Sequence, residues 1–145
     1  MTFRGNKSEE NGGAIYIEKN SLVTVSSSDF LNNVSTNGSG SVCYIVANRH
    51  VKVTFDNGCT FIGNTGEGTF YMFDADLDIK NNTWDANFMR TAIGESNGII
   101  AMDSIITSDS NTFTNHECDS ACYFYLFQGS QLTDTNSIFS NSYNT

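Results

Sequence analysis

Three carboxylates fall close together at Asp74, Asp76 and Asp78, and this is the densest acidic run in the chain. A glycoside hydrolase would need two or three such groups converging across a substrate, and a lyase would need an acidic calcium cluster with an arginine or lysine base above it. The pattern supplies neither. If this stretch is a strand, Leu77 and Ile79 point inward and Asp76 and Asp78 outward, with Lys52 and Thr54 as neighbours below and Ser104 and Ile106 above. No column of carboxylates forms. Arg4, Arg49 and Arg90 are scattered, and Arg90 has only Glu95 near it. The expectation is a protein that is not an enzyme, with no cofactor and no metal, in which Asp74, Asp76 and Asp78 solubilise the surface or meet a divalent cation.

The remaining reactive side chains are few. Cys43, Cys59, Cys118 and Cys122 are disulfide candidates, with the local pairs Cys43 to Cys59 and Cys118 to Cys122 favoured and buried free thiols as the other reading. His50 and His116 lack the spacing of a zinc finger. His116 stands where asparagine stands elsewhere, so it reads as a corner hydrogen-bonder. Asn-x-Ser/Thr sequons occur at Asn6, Asn33, Asn37 and Asn81, of which Asn37 and Asn81 are the glycosylation candidates, since Asn6 and Asn33 belong to the repeat described next. Outward tyrosines in YIVAN, FYMF and CYFYLF could stack on sugars.

What must position these residues is a repeat. An aromatic residue followed three positions later by asparagine recurs as Phe3/Asn6, Phe30/Asn33, Phe61/Asn64 and Trp84/Asn87, then decays to Phe113/His116 and Phe139/Ser142, at intervals of 23 to 31 residues. A small residue ahead of an apolar run recurs at Gly13, Gly40, Gly68, Gly98 and Ser120, in phase with the first marker. Two markers holding one period and one phase signify a solenoid. Each unit carries three short strands and no helix, because β-branched, aromatic and turn-forming residues dominate throughout. Complete units run from Gly12 to Asn33, Gly40 to Asn64, Gly68 to Asn87, Gly98 to His116 and Ala121 to Ser142, giving about five turns. Loops are expected at Val34 to Ser39, Thr65 to Glu67, Phe88 to Asn97 and Glu117 to Ser120. No turn can bury its apolar face alone, so like residues must pile up. Phe30, Phe61, Trp84, Phe113 and Phe139 should form an aromatic column, and Asn33, Asn64 and Asn87 a corner ladder bonding backbone and one another.

Composition agrees with this. Proline is absent, so turns rely on Gly, Asn and Asp, while eleven Phe, six Tyr and one Trp supply large buried area. Sixteen acidic against seven basic residues give a formal charge of −9, which disfavours nucleic acid and anionic membranes as partners. No apolar run reaches the roughly 18 residues of a membrane helix. The 145 residues read as a single β-helix segment that opens and closes inside repeats, hence as part of a longer array.

The segments GGAIYI, FRGN, FLNN and FIGN resemble the repeat motifs of the polymorphic outer membrane proteins. The likeness covers nearly the whole chain as a loose pattern, although Gly-Gly-Ala-Ile occurs once, at Gly12 to Ile15. It implies an all-β, right-handed parallel β-helix of the pectin-lyase-like type, extracellular or at a cell surface. Its expected role is structural or adhesive, in an elongated fibre or coat. Expected partners are continuing repeats or neighbouring copies stacked end to end, with surface glycans or a host or cell receptor beyond them. The alternative is a carbohydrate-binding or polysaccharide-processing β-helix.

Overall fold

In the computed structural model the chain is described at residues 1–19, 22–87, 98–118 and 122–144, with the side chains of residues 49, 50, 117, 118, 143 and 144 outside the description. Ser120, Arg90 and Glu95, and the expected loop from Phe88 to Asn97, lie outside the described residues. Every described element is a strand, and all pairings are parallel. The fold is a β-solenoid with three main strands per turn, and four steps of the coil separate Phe30 from Phe139.

Three walls enclose the core. Wall one stacks Ile15–Glu18, the first part of Cys43–Asp56, the first part of Phe70–Lys80, Ile99–Met102 and Phe124–Phe127. Wall two stacks Val23–Ser26, the later parts of the same two long strands, Ile105–Asp109 and Gln131–Thr135. Wall three stacks Thr2–Arg4, Asp29–Leu31, Thr60–Ile62, Thr83–Asp85, Thr112–Thr114 and Ile138–Ser140. Two of the expected loops are strands instead. Val34–Ser39 pairs with Lys7–Ser8 and Thr65–Glu67, because Asn6 and Asn33 pass their carbonyls to the amides of Val34 and Thr65 one turn on. Glu117–Cys118 likewise pairs with Tyr143–Asn144.

Left-handed corner residues make the chain turn. Ser27, Asn57, Asn81, Ser110 and Asn136 bend it between walls two and three, all with φ between 46° and 58°. Gly5, Asn32, Gly63, Ala86, Asn115 and Asn141 bend it after wall three. Most are Asn, Gly or Ser, and Asn and Gly are the types that adopt this conformation at least cost. Before wall one the left-handed glycines are Gly12, Gly40 and Gly68, so Gly12 rather than Gly13 matches Gly40. Gly13 is small for another reason, since a Cβ there would sit 2.1 Å from the Ser41 carbonyl oxygen.

The core is a file of rings. Phe3, Phe30, Phe61, Trp84, Phe113 and Phe139 stack with centroids 4.8, 5.2, 4.1, 5.3 and 5.1 Å apart and interplanar angles of 25° or less. This is close to the spacing of neighbouring strands, so each ring lies over the next without distorting the sheet. Phe55 and Phe70, from walls two and one, meet Phe61 edge-on at 5.7 and 5.3 Å and fill the space beside the file.

Candidate functional site

Beside the rings runs a buried amide ladder. Asn33 donates its side-chain amide to Oδ1 of Asn64 at 3.0 Å, and Asn64 donates to Oδ1 of Asn87 at 2.9 Å. The same oxygens accept the backbone N–H groups of Asn33 and Asn64, while Nδ2 of Asn33, Asn64 and Asn87 also reaches the carbonyls of Phe3, Phe30 and Phe61. A primary amide suits this place because it accepts on one atom and donates twice from the other. His116 follows in the same position, fully buried, with Nδ1 3.1 Å from the Cys122 carbonyl oxygen and the ring packed on Phe113 and Tyr123. Burial lowers its pKa, opposed by its contacts to the Cys122 and Trp84 carbonyls and by the charge of Asp85.

A second ladder, not anticipated from the sequence, lies two residues before each ring, at Ser28, Cys59, Asn82, Asn111 and Ser137. Asn82 donates to the Phe55 carbonyl and Asn111 to the Ile79 carbonyl, at 2.8 and 3.0 Å. Their Oδ1 atoms accept the backbone N–H of Cys59 and of Asn82. Only two of the five are asparagine. The usable signal was a polar or small residue at a fixed offset from the aromatic marker.

Cys59 takes the same role with a thiol. Its Sγ reaches the Val25 carbonyl at 3.6 Å and the Asp56 carbonyl at 3.4 Å. Cys43 sits in a different file, in register with Ile15 and Phe70 on wall one. Both are free thiols, so the expected Cys43 to Cys59 bridge is not made: one side chain belongs to a wall and the other to a corner. Burial raises the pKa of each. Cys122 is disulfide-bonded, whereas the side chain of Cys118, its expected partner, lies outside the described ones.

One carboxylate of the acidic run, Asp78, is held in an ion pair. Asp76 and Asp78 face outward from wall two while Leu77 and Ile79 are buried. Their neighbours below are Lys52 and Thr54, but those above are Ile105 and Thr107 rather than Ser104 and Ile106. Of two adjacent isoleucines either could face inward, and the corner at Asp103 and Ser104 selects Ile106. Asp78 pairs with Lys52 at 2.6 Å and Asp109 with Lys80 at 3.0 Å. Lys80, then Asn136, Ser110 and Thr135, hold the Asp109 carboxyl at about 2. Asp74 and Asp103, one turn apart, border an open recess of about 260 Å³ with Ser104, Ile105, Gly129 and Gln131. Among the described residues no three His, Cys, Asp or Glu side chains gather where a metal could be held.

Both glycosylation candidates are exposed, Asn37 on the Val34–Ser39 strand and Asn81 on a left-handed corner, whereas Asn33 is buried in the ladder. Trp84 is core. Its indole N–H is buried without a partner among the described residues.

The outer surface of wall one differs from the other two. Tyr16, Tyr44 and Tyr71 point outward and stack at 5.4 Å per step, with interplanar angles of 21° and 13°. Beside them a second outward file runs Glu18, Val46, Phe73, Met102 and Phe127. Tyr44 is covered on both faces by its neighbours, whereas Tyr16, at the end of the stack, is 54 % exposed. A sugar platform needs exposed ring faces, which within this stack leaves Tyr16 as the ring placed to offer one. Sequence alternation placed some tyrosines outside but not the apolar file, although CYIV, FYMF, IIAM and FYLF are apolar at both parities, as in strands covered on both faces.

Set against known proteins, the chain has no match: no family model, curated protein or solved structure corresponds to it. No described helix is long and apolar enough to cross a membrane.

Proposed function

We propose that this chain is a non-enzymatic structural or adhesive module of an extracellular or cell-surface protein, contributing length and rigidity to an elongated fibre or coat. The observation that carries the reading is the pair of continuous internal files, rings and amides, which make one turn interchangeable with the next. A coil of that kind gains length by adding turns without a new core, which suits a spacer or scaffold. The pairing of Asp78 with Lys52 and of Asp109 with Lys80 adds support, since acids held by lysines on an open flat wall are poorly placed for acid–base work. Neighbouring copies or continuing repeats stacked along the axis are the partners that fit. The alternative, binding or processing of a polysaccharide, calls for a groove of open ring faces and unpaired acids.

The test uses the intact parent protein in its native cells. Surface proteolysis or membrane-impermeant biotin should reach epitopes of this chain on unbroken cells, and electron micrographs should show rods. Label confined to lysed cells, or compact particles, would overturn the proposal, and a positive glycan array would favour the alternative.

A further inference from the structure

We propose that Asn57 is a site of spontaneous covalent modification, at which the Gly58 amide nitrogen attacks the Asn57 side chain and leaves aspartate or isoaspartate at this corner. The reaction needs only water and is independent of where the protein resides.

Of the five described corners between walls two and three, four pass straight from the left-handed residue to a member of the second ladder: Ser27 to Ser28, Asn81 to Asn82, Ser110 to Asn111 and Asn136 to Ser137. The corner at Asn57 has one residue more, Gly58, before Cys59. The insertion takes it out of the bonding that holds its neighbours. Ser27, Asn81 and Ser110 donate their N–H groups to the carbonyls of Asp56, Asp109 and Thr135 one turn on. Among the described residues, Asn57 and Gly58 donate no hydrogen bond, and the one contact of this pair is the Asn57 carbonyl accepting Ser27 Oγ at 2.9 Å. Both residues are exposed, with φ of 55° and 83°, and a Cβ built on Gly58 would meet nothing within 4 Å. The peptide between them is therefore free to turn.

Glycine matters chemically as well, because without a Cβ its nitrogen can close on the preceding side chain. The Gly58 nitrogen bonds to Asn57 Cγ, the Cγ–Nδ2 bond breaks, and the Gly58 proton ends on the nitrogen that leaves as ammonia. Water then opens the five-membered imide. Opening at Cγ gives aspartate; opening at the main-chain carbonyl leaves the chain running through Cγ, which is isoaspartate. Either product adds one negative charge to the −9 of the chain.

Asn37-Gly38 has the same sequence and the opposite setting. It lies within the strand Val34–Ser39, the Gly38 carbonyl accepts Ser35 Oγ at 2.7 Å, and Ser39 N–H donates to Asn11 Oδ1 at 2.8 Å. A Cβ on Gly38 would lie 2.5 Å from that oxygen, so this peptide is wedged against the neighbouring chain. The fold, and not the dipeptide, selects Asn57.

The experiment ages the full chain in mildly alkaline buffer, folded and in urea, and follows Asn57 and Asn37 by peptide mapping with mass spectrometry. Isoaspartate is counted by methyl transfer from a protein isoaspartyl methyltransferase. In the folded chain Asn57 should convert at least tenfold faster than Asn37, and in urea the two rates should fall within twofold of each other. Asn57→Ser, which copies the corner at Ser27, should remove more than half of the methyl acceptance that the folded chain acquires. Equal rates at the two asparagines in the folded chain would overturn the proposal. So would a rate ratio that urea leaves unchanged, or methyl acceptance unaltered by Asn57→Ser.

Discussion

Oδ1 of Asn87 accepts two hydrogen bonds from Asn64, one from its backbone N–H at 3.0 Å and one from its side chain at 2.9 Å, inside a core where both residues are fully buried. One atom of one turn thereby fixes the position of the turn before it. The arrangement has a cost if broken, because water cannot reach the orphaned groups.

Asn64→Ala should therefore destabilise the chain by about 2–6 kcal/mol, since it takes the side-chain partner from both the Asn33 N–H and the Phe30 carbonyl, at about 1–3 kcal/mol for each buried group. Urea unfolding measures this. Asn64→Asp should also be destabilising, because a carboxylate cannot donate to Phe30 and would carry buried charge.

The ring file gives a contrast of position. Phe61→Ala should cost about 3–5 kcal/mol through the cavity it opens between Phe30 and Trp84. Ile62→Ser, one residue on and exposed at 36 %, should stay within about 0.5 kcal/mol. Similar losses at the two sites would argue against the register.

The two free thiols should part company on substitution. Cys59→Ser should cost less than about 1 kcal/mol, because serine already occupies this file at Ser28 and Ser137, where it bonds within its own turn, and the Asp56 carbonyl offers a hydroxyl at 59 the same kind of local acceptor. Cys43→Ser places a hydroxyl among apolar side chains and should cost about 1–3 kcal/mol. Neither wild-type thiol should react with a thiol reagent until the chain unfolds.

His116 sets a pH dependence. Its pKa in the folded chain lies below the ordinary value near 6.5 because of burial, so the unfolded chain takes up the proton first. The stability tied to it is present above pH 6.5 and is lost as pH falls below that value. His116→Asn, the ladder residue of other turns, should flatten this decline in denaturation curves between pH 7 and 5. Asp109 acts lower, its contribution being present above about pH 4 and lost as pH falls towards 2. Asp109→Asn should reduce the slope there.

The periodic residues made the coil legible because a solenoid must place like against like, and Phe30, Phe61 and Trp84 are too large to be placed otherwise. The second ladder is hidden because its residue type varies: Cys59, Asn82 and Asn111 reach the carbonyl of the preceding turn, whereas Ser28 and Ser137 bond within their own turn. The register between Phe70–Lys80 and Ile105–Asp109 is one residue off the expected pairing, since Ile105 and Ile106 satisfy the apolar pattern equally and only the corner decides. The strands at Val34–Ser39 and Thr65–Glu67 looked like loops because their residues, VSTNGS and TGE, have little strand propensity and owe their pairing to the asparagines before them. The outward apolar file passed unnoticed because an unbroken apolar run does not tell which side is open.

All strand pairings run between successive turns, so their hydrogen bonds lie along the coil axis. A chain gripped by its two ends would not be sheared but unspooled, one turn after another. Each release would pay out roughly 75–110 Å of thread, given 23 to 31 residues per turn at about 3.3–3.6 Å each. Such a body yields in instalments under tension and rewinds onto the turn that remains, behaving as a mechanical fuse.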